Sequence, residues 1–251
     1  MTGPLKKDLT TVLDFYREFG IEALPFRIHP GGRPSDESSP VQASCMPKVP
    51  VEDKKAALDA LRAQIGDCTC CKLSQGRTNL VFGEGNPGAE IMFIGEAPGR
   101  EEDTQGRPFV GDAGNVLTNL IRKVMNRERS DVYIANICKC RPPQNRDPEA
   151  DEMVACFPFL NEQIRIVAPK IIVSLGKIAT FSLMKPPYPI AKFSIMRERG
   201  KWFSYNGVPV MPTFHPAYLM RNPKDKWLTL EDAKAVLARL EEIRKAEGSC
   251  L

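Results

Sequence analysis

Residues 91–114 read IMFIGEAPGREEDTQGRPFVGDAG, and this stretch decides the fold. An apolar run, Ile91 to Ile94, ends at Gly95, and an acidic, glycine-rich loop leads from it into a helical pattern that begins at residue 112. A strand followed by a loop and a helix places functional groups at the carboxyl edge of a parallel sheet. The loop lacks both GxGxxG and GxxxxGK[ST], so nucleotide-phosphate binding of those two kinds is not indicated.

Strand and helix patterns alternate along the rest of the chain. Such alternation favours a parallel sheet with helices on both faces. We therefore expect an α/β fold, a three-layer sandwich with a central, mainly parallel four-stranded sheet flanked by helices. Thr229 is the expected N-terminal cap of the last helix. The predicted strands are 90–94, 131–137, 170–175 and 208–213, and the predicted helices are 52–65, 112–126, 149–167, 177–184 and 229–246.

The first fifty residues differ in composition from the rest. Residues 28–50 are dense in Pro, Gly and Ser and lack apolar periodicity, which is typical of a linker. Residues 4–19 could form a short amphipathic helix before it. The sequence therefore predicts an N-terminal arm and linker at 1–50 and a single folded domain at 51–251.

Composition and charge set broad limits. Hydrophobic residues make up 42% of the chain, which is enough for a packed core. No apolar run is long enough to span a membrane, and the N-terminus lacks the apolar segment of a signal peptide, so we expect a cytoplasmic protein. The net charge of +4 says little by itself about nucleic acid. Basic residues in three loops could contact phosphates or simply be solvated: Lys139, Arg141 and Arg146; Arg197, Arg199 and Lys201; Arg221, Lys224 and Lys226.

Polar and aromatic residues follow the predicted strands. Glu96 comes after the first strand, Asn136 lies near the end of the second, and His215 follows the fourth. Phe109 lies in the loop after the first strand. Because the carboxyl ends of parallel strands line one crevice, we expect these side chains to converge on one pocket.

The chain contains eight cysteines, which in a cytoplasmic protein indicate metal or redox chemistry more readily than disulfides. Cys68 and Cys71 form a CxxC pair, and Cys140 and Cys156 lie further along. Four thiolates can bind zinc or an iron–sulfur cluster, and spacing alone does not separate the two. Cys70 offers an alternative to its neighbour. Unconnected buried thiols are the simpler interpretation for Cys45, Cys138 and Cys250.

Several segments together resemble the iron–sulfur uracil-DNA glycosylases, family 4 of the uracil-DNA glycosylase superfamily. The resemblance covers about residues 66–246, in order and without large gaps. The matching segments are VFGEGNPGAEIMFIGEAPGREEDTQGRPFVGDAG (81–114), VYIANICKCRPPQNRDP (132–148), IIVSLG (171–176) and PTFHPAYLMRNP (212–223).

This resemblance implies a function and a cofactor. The sequence places no lysine as a Schiff-base nucleophile, which favours a monofunctional enzyme without lyase activity, and we expect a monomer. The implied protein is a uracil-DNA glycosylase that acts in base excision repair. It flips uracil out of DNA and hydrolyses the N-glycosidic bond, leaving an abasic site. Uracil-containing DNA is then the partner, and no membrane is involved. The resemblance also implies a [4Fe–4S] cluster held by Cys68, Cys71, Cys140 and Cys156.

Two residues are expected to hold the flipped base. Phe109 can supply a stacking platform, although core packing is the commoner role of a Phe. The Asn136 carboxamide can accept from uracil N3–H and donate to O4, whereas cytosine would leave both groups mispaired. The alternative for Asn136 is a hydrogen bond to backbone at the strand end.

The catalytic expectations fall on His215 and Glu96. His215 can donate a hydrogen bond to the negative charge that develops on the leaving base, and Glu96 can position water or stabilise the cationic sugar. The alternatives are a structural histidine and a backbone-capping carboxylate. Ala97, assigned to the uracil pocket, lies where some relatives carry an Asp, so water activation is left to Glu96 or to backbone groups.

The remaining expectations concern specificity and DNA contact. Some relatives block the thymine methyl with a Tyr at the position of Gly99, so here Glu102 is the hypothetical substitute. Leu219 and Met220 could wedge into the base stack while Arg221 reaches phosphate, or the two apolar residues could pack in the core. The alternative function is a non-catalytic or covalent uracil-DNA-binding iron–sulfur protein. The covalent type uses a histidine in a loop after the first motif, and this chain has no His between His29 and His215.

Overall fold

The computed structural model describes residues 50–248. The predicted arm at 1–50, with its helix at 4–19, therefore lies outside the described residues except for Pro50. Cys45 and Cys250 lie outside them as well.

A six-stranded mixed sheet forms the centre of the fold, in the order β1-β3-β2-β4-β6-β5. Its four inner strands are parallel to one another, and each corresponds to a strand predicted above. The two edge strands pair antiparallel with their neighbours and raise the predicted number from four to six. At two and three residues, they are too short to show an alternating pattern. The strands are β1 (Glu84–Gly85), β2 (Ile91–Gly95), β3 (Tyr133–Asn136), β4 (Ile171–Leu175), β5 (Phe203–Tyr205) and β6 (Val208–Thr213).

Helices connect the strands and cover both faces of the sheet. The five predicted helices are present, and the second ends early in a π-helical turn at Leu120–Val124. Three short helices in the loops carried no periodic pattern. The helices are α1 (Val51–Ile65), α2 (Arg100–Gln105), α3 (Asp112–Asn119), α4 (Ala150–Val167), α5 (Gly176–Met184), α6 (Ile195–Glu198), α7 (Pro216–Arg221) and α8 (Lys226–Gly248).

Alternate residues of β2 build the two halves of the core. Met92 and Ile94 pack with apolar residues of α1, α4 and α5 on one face. Ile91 and Phe93 pack with residues of α3 and α8 on the other. All four side chains are buried, as expected of a central strand in a sheet covered on both faces. The three-layer sandwich is therefore confirmed.

The last helix starts earlier than predicted. It begins at Lys226, so Thr229 lies inside the helix and is not its cap. Thr229 is buried, and its Oγ1 lies 3.5 Å from Oγ1 of Thr213 at the end of β6. Asp232 is also buried and accepts a 2.7 Å hydrogen bond from Thr213. Packing against the sheet thus set the start of this helix.

None of the helices between residues 50 and 248 is both long and apolar enough to cross a membrane.

Candidate active site

A cavity of about 570 Å³ opens at the carboxyl edge of the parallel strands, a size typical of small-ligand sites. Loops after β2, β3, β4 and β6 form its walls. The four groups expected to converge, Glu96, Phe109, Asn136 and His215, all line it. Of the other predicted site residues, the cavity is also lined by Ala97, Glu102 and Arg221.

Asn136 presents a free hydrogen-bond acceptor to this cavity. The residue is 2% exposed, and its Oδ1 is buried without a hydrogen-bond partner among the described residues. A buried acceptor left unpaired costs about 1–3 kcal/mol, so this oxygen favours a hydrogen-bond donor in the cavity. A Cβ on the neighbouring Gly95 would lie 2.4 Å from this oxygen, so the glycine keeps the space for the amide open.

The Phe109 ring lies between the core and the cavity. The residue is 6% exposed and packs with the apolar cluster below β2. Its ring centroid is 5.7 Å from that of His215, with the two planes inclined by 37°. The backbone of Phe109 has a φ of +51°, which is uncommon for a residue with a side chain. Core packing and a cavity wall, weighed above as alternatives, therefore coexist in this side chain.

His215 is held in one tautomer. Its Nδ1 accepts a 3.2 Å hydrogen bond from the backbone N–H of Ala217, in the first turn of α7. In a neutral imidazole the proton then resides on Nε2, which becomes a donor. Burial, and to a smaller degree the charge of Arg221, lowers the pKa of His215 to about 4. The ring is therefore neutral at pH 7.

Glu96 is a carboxylate with no hydrogen-bond partner for its side chain among the described residues. Burial, with a smaller contribution from the charge of Asp147, raises the pKa of Glu96 to about 7. Its backbone is fixed, because Cys138 N–H donates to the Glu96 carbonyl at 3.0 Å. A partly buried carboxyl that titrates near neutrality is suited to binding or activating water.

The Glu102 carboxylate is engaged by backbone. It accepts hydrogen bonds from the N–H groups of Val110 and Gly111 at 2.9 Å each, and from that of Gly99 at 3.1 Å. These contacts tie α2 to the loop that carries Phe109. They give Glu102 a role in loop geometry, and its expected role against thymine stays a prediction.

The residues of α7 expected to contact DNA separate into two environments. Leu219 is buried at 4% exposure, so in this conformation it belongs to the core, which was the alternative for it. Met220 is 43% exposed, and Arg221 is exposed at the rim of the cavity. Of these three side chains, only those of Met220 and Arg221 are exposed, and their contact with DNA stays a prediction.

In two of the three basic loops, some of the charges are less available than the sequence suggests. Lys139 is 1% exposed, and its Nζ donates to the Asn136 carbonyl at 2.8 Å and to Gln163 Oε1 at 2.6 Å. Arg146 forms a two-point ion pair with the buried Glu152, and Arg199 pairs with Asp232. The expectation of phosphate contact is wrong for Lys139, whose charge is enclosed.

The four predicted cluster ligands surround one small cavity beside α1 and α4. Cys68, Cys71, Cys140 and Cys156 all line it, and so does the exposed Cys70. The sulfurs already receive donors: Lys139 N–H lies 3.2 Å from the Cys156 Sγ, and Arg77 Nη1 lies 3.3 Å from the Cys140 Sγ. N–H donors to sulfur are the usual surroundings of cysteinate ligands, so the residues fit an iron–sulfur group.

The thiols of this site differ in acidity. Burial raises the pKa of Cys71 and raises that of Cys140 to about 11. A hydrogen bond from the Cys138 thiol lowers the pKa of Cys156 to about 7.

Within the described residues, no group of three or more His, Cys, Asp or Glu side chains has the spacing to hold a single metal ion.

Two residues that shape the cavity escaped the sequence reasoning. Arg129, in the loop before β3, contacts the carbonyls of the Phe109 loop from twenty residues away. Asp147 lines the cavity together with Glu96, and it lies in the NRDP part of a matched segment, where its acidic character was a usable signal. Arg129 offered no such signal, because no local pattern ties it to that loop.

The fold and the cavity define an α/β protein with a site at the carboxyl edge of a parallel sheet, lined by a carboxylate, an amide, a histidine and an aromatic ring. The sequence profile of the Uracil DNA glycosylase superfamily matches residues 82–241, and the chain belongs to this superfamily.

Three similar proteins are of one type. The chain is 48% identical over 187 residues to the type-4 uracil-DNA glycosylase of Sulfurisphaera tokodaii, covering 72% of this chain and 83% of the relative. It is 46% identical to the type-4 enzyme of Saccharolobus solfataricus, covering 71% and 84%. It is 44% identical to that of Thermotoga maritima, covering 78% and 98%.

Proposed function

We propose that this protein is a monofunctional uracil-DNA glycosylase that removes uracil from DNA by hydrolysis and leaves an abasic site for base excision repair. The observation that carries the proposal is the buried Oδ1 of Asn136, which has no hydrogen-bond partner within residues 50–248 and lies in the same cavity as Phe109 and His215. A site with an unsatisfied acceptor beside an aromatic ring suits a planar base that carries an N–H donor.

Uracil supplies that donor at N3. Asn136 Oδ1 accepts from N3–H, and its amide N–H group donates to O4. Cytosine has an acceptor at N3 and an amino donor at C4. The Asn136 oxygen would then meet an acceptor and its N–H group would meet a donor, which costs about 1–3 kcal/mol for each mispaired group. The Phe109 ring stacks on the base and contributes roughly 1–3 kcal/mol.

Cleavage of the glycosidic bond leaves negative charge on uracil and positive charge on the sugar. His215, neutral with its proton on Nε2, donates to O2 of the departing base. It does so without the desolvation cost of a buried imidazolium. Glu96, ionised above about pH 7, positions the attacking water and stabilises the sugar cation.

DNA is engaged at the rim of the cavity. Met220 is the exposed apolar side chain available to fill the gap left by the flipped nucleotide, and Arg221 is available to a phosphate. The wedge is therefore one residue, because Leu219 is packed inside.

Cys68, Cys71, Cys140 and Cys156 would hold a [4Fe–4S] cluster. The bound cluster would act as a cross-link that joins the segment after α1 to Cys140 and to α4, which raises the stability of the loop after β3. Arg77 donates to both the Cys140 sulfur and the Cys68 carbonyl, so it braces two of these segments from within the chain.

Release of free uracil from a uracil-containing oligonucleotide tests the function. Wild type should release uracil and leave an alkali-labile site with no strand cleavage of its own, and Asn136→Ala should release far less. A stable or covalent complex without release would support the binding-protein alternative. Strand cleavage by the protein alone would contradict the monofunctional assignment.

A further inference from the structure

We propose that Arg129 and Glu102 are positioning residues that fix the Phe109 platform from opposite sides of its loop. The inference rests on the proposed function, because the platform matters only if a base stacks on it. Neither side chain needs to touch the base. Each binds the backbone of the loop at residues 108–111, which carries the ring.

Arg129 holds the carbonyl side of this loop. Its Nη1 donates to the Phe109 carbonyl at 3.0 Å and to Thr118 Oγ1 at 3.1 Å, and its Nη2 donates to the Pro108 carbonyl at 2.9 Å. The Arg129 side chain is only 18% exposed. A planar guanidinium with several fixed donors can hold two successive carbonyls at once, which a lysine ammonium does less well.

Glu84 in turn holds Arg129. Its carboxylate pairs with the Arg129 Nη2 and accepts a 2.7 Å hydrogen bond from the Nε of Arg107. Burial acts to raise the pKa of Glu84, but the hydrogen bonds from the two arginines leave it below its ordinary value, so the carboxylate is charged. The edge strand β1 thereby braces the same loop.

Glu102 holds the amide side. Its Oε1 accepts from the N–H groups of Val110 and Gly111, which directly follow Phe109. Its Oε2 accepts from the N–H group of Gly99, the N-cap residue of α2. The carbonyls of two residues and the amides of the next two are therefore bound by side chains of opposite charge.

The hydrogen bonds from Arg129 and Glu102 explain why Phe109 has a positive φ angle. A φ of +51° is disfavoured for a residue with a Cβ and persists where surrounding contacts impose it. The Phe109 carbonyl also lies so close to α3 that a Cβ on Gly114 would be 2.0 Å from its oxygen. Without these hydrogen bonds, the loop at residues 108–111 can relax to a more favourable backbone conformation. The Phe109 ring would then leave its place opposite Asn136 and His215.

The test is a set of substitutions measured by single-turnover uracil release. Arg129→Met removes the donors and should lower the rate about 10- to 100-fold, because a displacement of about 1 Å is enough to do so. Arg129→Lys should recover part of the rate, and Glu102→Gln, which keeps an acceptor, should lose less than Glu102→Ala. Arg122→Met is the matched control, since Arg122 pairs with Glu128 on the surface, and it should match wild type.

Two further measurements separate positioning from loss of folding. The affinity for undamaged DNA of the same sequence should stay within about twofold in Arg129→Met, because the phosphate contacts are unchanged. In a Phe109→Leu background, Arg129→Met should cost much less than it costs in wild type, because residues that act through one group are not additive.

The outcomes distinguish this inference from the proposed function. If wild type releases no uracil, the proposed function fails. If wild type is active and Arg129→Met equals Arg122→Met, only the positioning role is overturned. Equal losses in the presence and absence of the Phe109 ring, or a parallel loss of affinity for undamaged DNA, would also overturn it.

Discussion

The uracil pocket and the cysteine site share one short segment, residues 136–140, which contributes Asn136 to the pocket and Cys140 to the cysteine site, and the two sites are built differently. In the pocket, protein contacts fix the functional groups, such as the Nδ1 of His215 held by Ala217 and the Phe109 loop held by two charged side chains. In the cysteine site, the thiols come from three separate parts of the chain, and protein donors reach only some sulfurs.

The difference concerns what holds each site in shape. The pocket is preorganised by the chain, which limits the reorganisation that a ligand must drive. In the cysteine site, buried thiols such as Cys140, with a pKa raised to about 11, give up their protons only to a bound cation. The pocket should therefore keep its shape without a ligand, whereas the cysteine site should depend on its cluster.

Removing a cluster ligand should have the largest effect. Cys71→Ser should abolish the iron content and visible absorbance of the purified protein and lower its melting temperature, because the cross-link to α4 is lost. Cys70→Ser is the matched control, since Cys70 is exposed and adjacent in sequence. If Cys70→Ser lost its iron while Cys71→Ser kept it, Cys70 would be the cluster ligand in place of Cys71.

Asn136→Ala should be the most damaging change in the pocket. The value of kcat/KM for uracil release should fall by about 100-fold or more, since each of two hydrogen bonds to a buried group is worth about 1–3 kcal/mol. The iron content should stay at the wild-type level, which would separate the two sites. Asn119→Ala, at the exposed end of α3, should leave both properties unchanged.

His215→Ala should lower kcat about 100-fold, the usual cost of removing one donor to a developing anion. His215→Gln can present an N–H group near the position of Nε2 and should recover part of the rate. Single-turnover kinetics at saturating enzyme measure this step. Equal rates for His215→Ala and wild type would remove His215 from catalysis.

The pH dependence should report Glu96. Because the pKa of Glu96 is raised to about 7, the active carboxylate forms as pH rises, so kcat/KM should climb about tenfold per pH unit below 7 and then level off. His215, with a pKa lowered to about 4, should add no second limb above about pH 5. A Glu96→Gln profile that kept the limb at 7 would contradict the assignment.

The raised pKa of Glu96 also makes the stability of the protein depend on pH. The folded chain binds the Glu96 proton more tightly than the unfolded chain, whose pKa is near 4.5. The free energy of unfolding should therefore fall as pH rises from about 4.5 to about 7, and this loss should be absent in Glu96→Gln. Chemical denaturation of both proteins across this range measures it.

Arg221→Gln should have the smallest effect. Loss of one phosphate contact should weaken DNA binding a few-fold and reduce the slope of log affinity against log salt by about 1. Arg165→Gln, an exposed arginine on α4 that pairs with Glu162, is the control. An unchanged salt slope would place Arg221 away from the phosphates.

The sequence predicted the elements that depend on local patterns. The four inner strands and five main helices follow from apolar periodicity, and the order of strand and loop places Glu96, Phe109, Asn136 and His215 at one edge of the sheet. The short edge strands carry no period, and the burial of Leu219 depends on elements distant in the chain. Side-chain contacts across such distances have no local signature.

The segment 91–114 and its companion motifs by themselves determined the fold class, the superfamily and the chemical groups of the pocket, because residue type and spacing encode these directly. The tertiary structure alone decided which groups are free and which are engaged. Within the part of the chain that the structure describes, it left Asn136 Oδ1 unpaired, enclosed the Lys139 charge, and bound Glu102 and Arg129 to the Phe109 loop. These outcomes depend on burial and on partners far apart in sequence, which only the folded chain brings together.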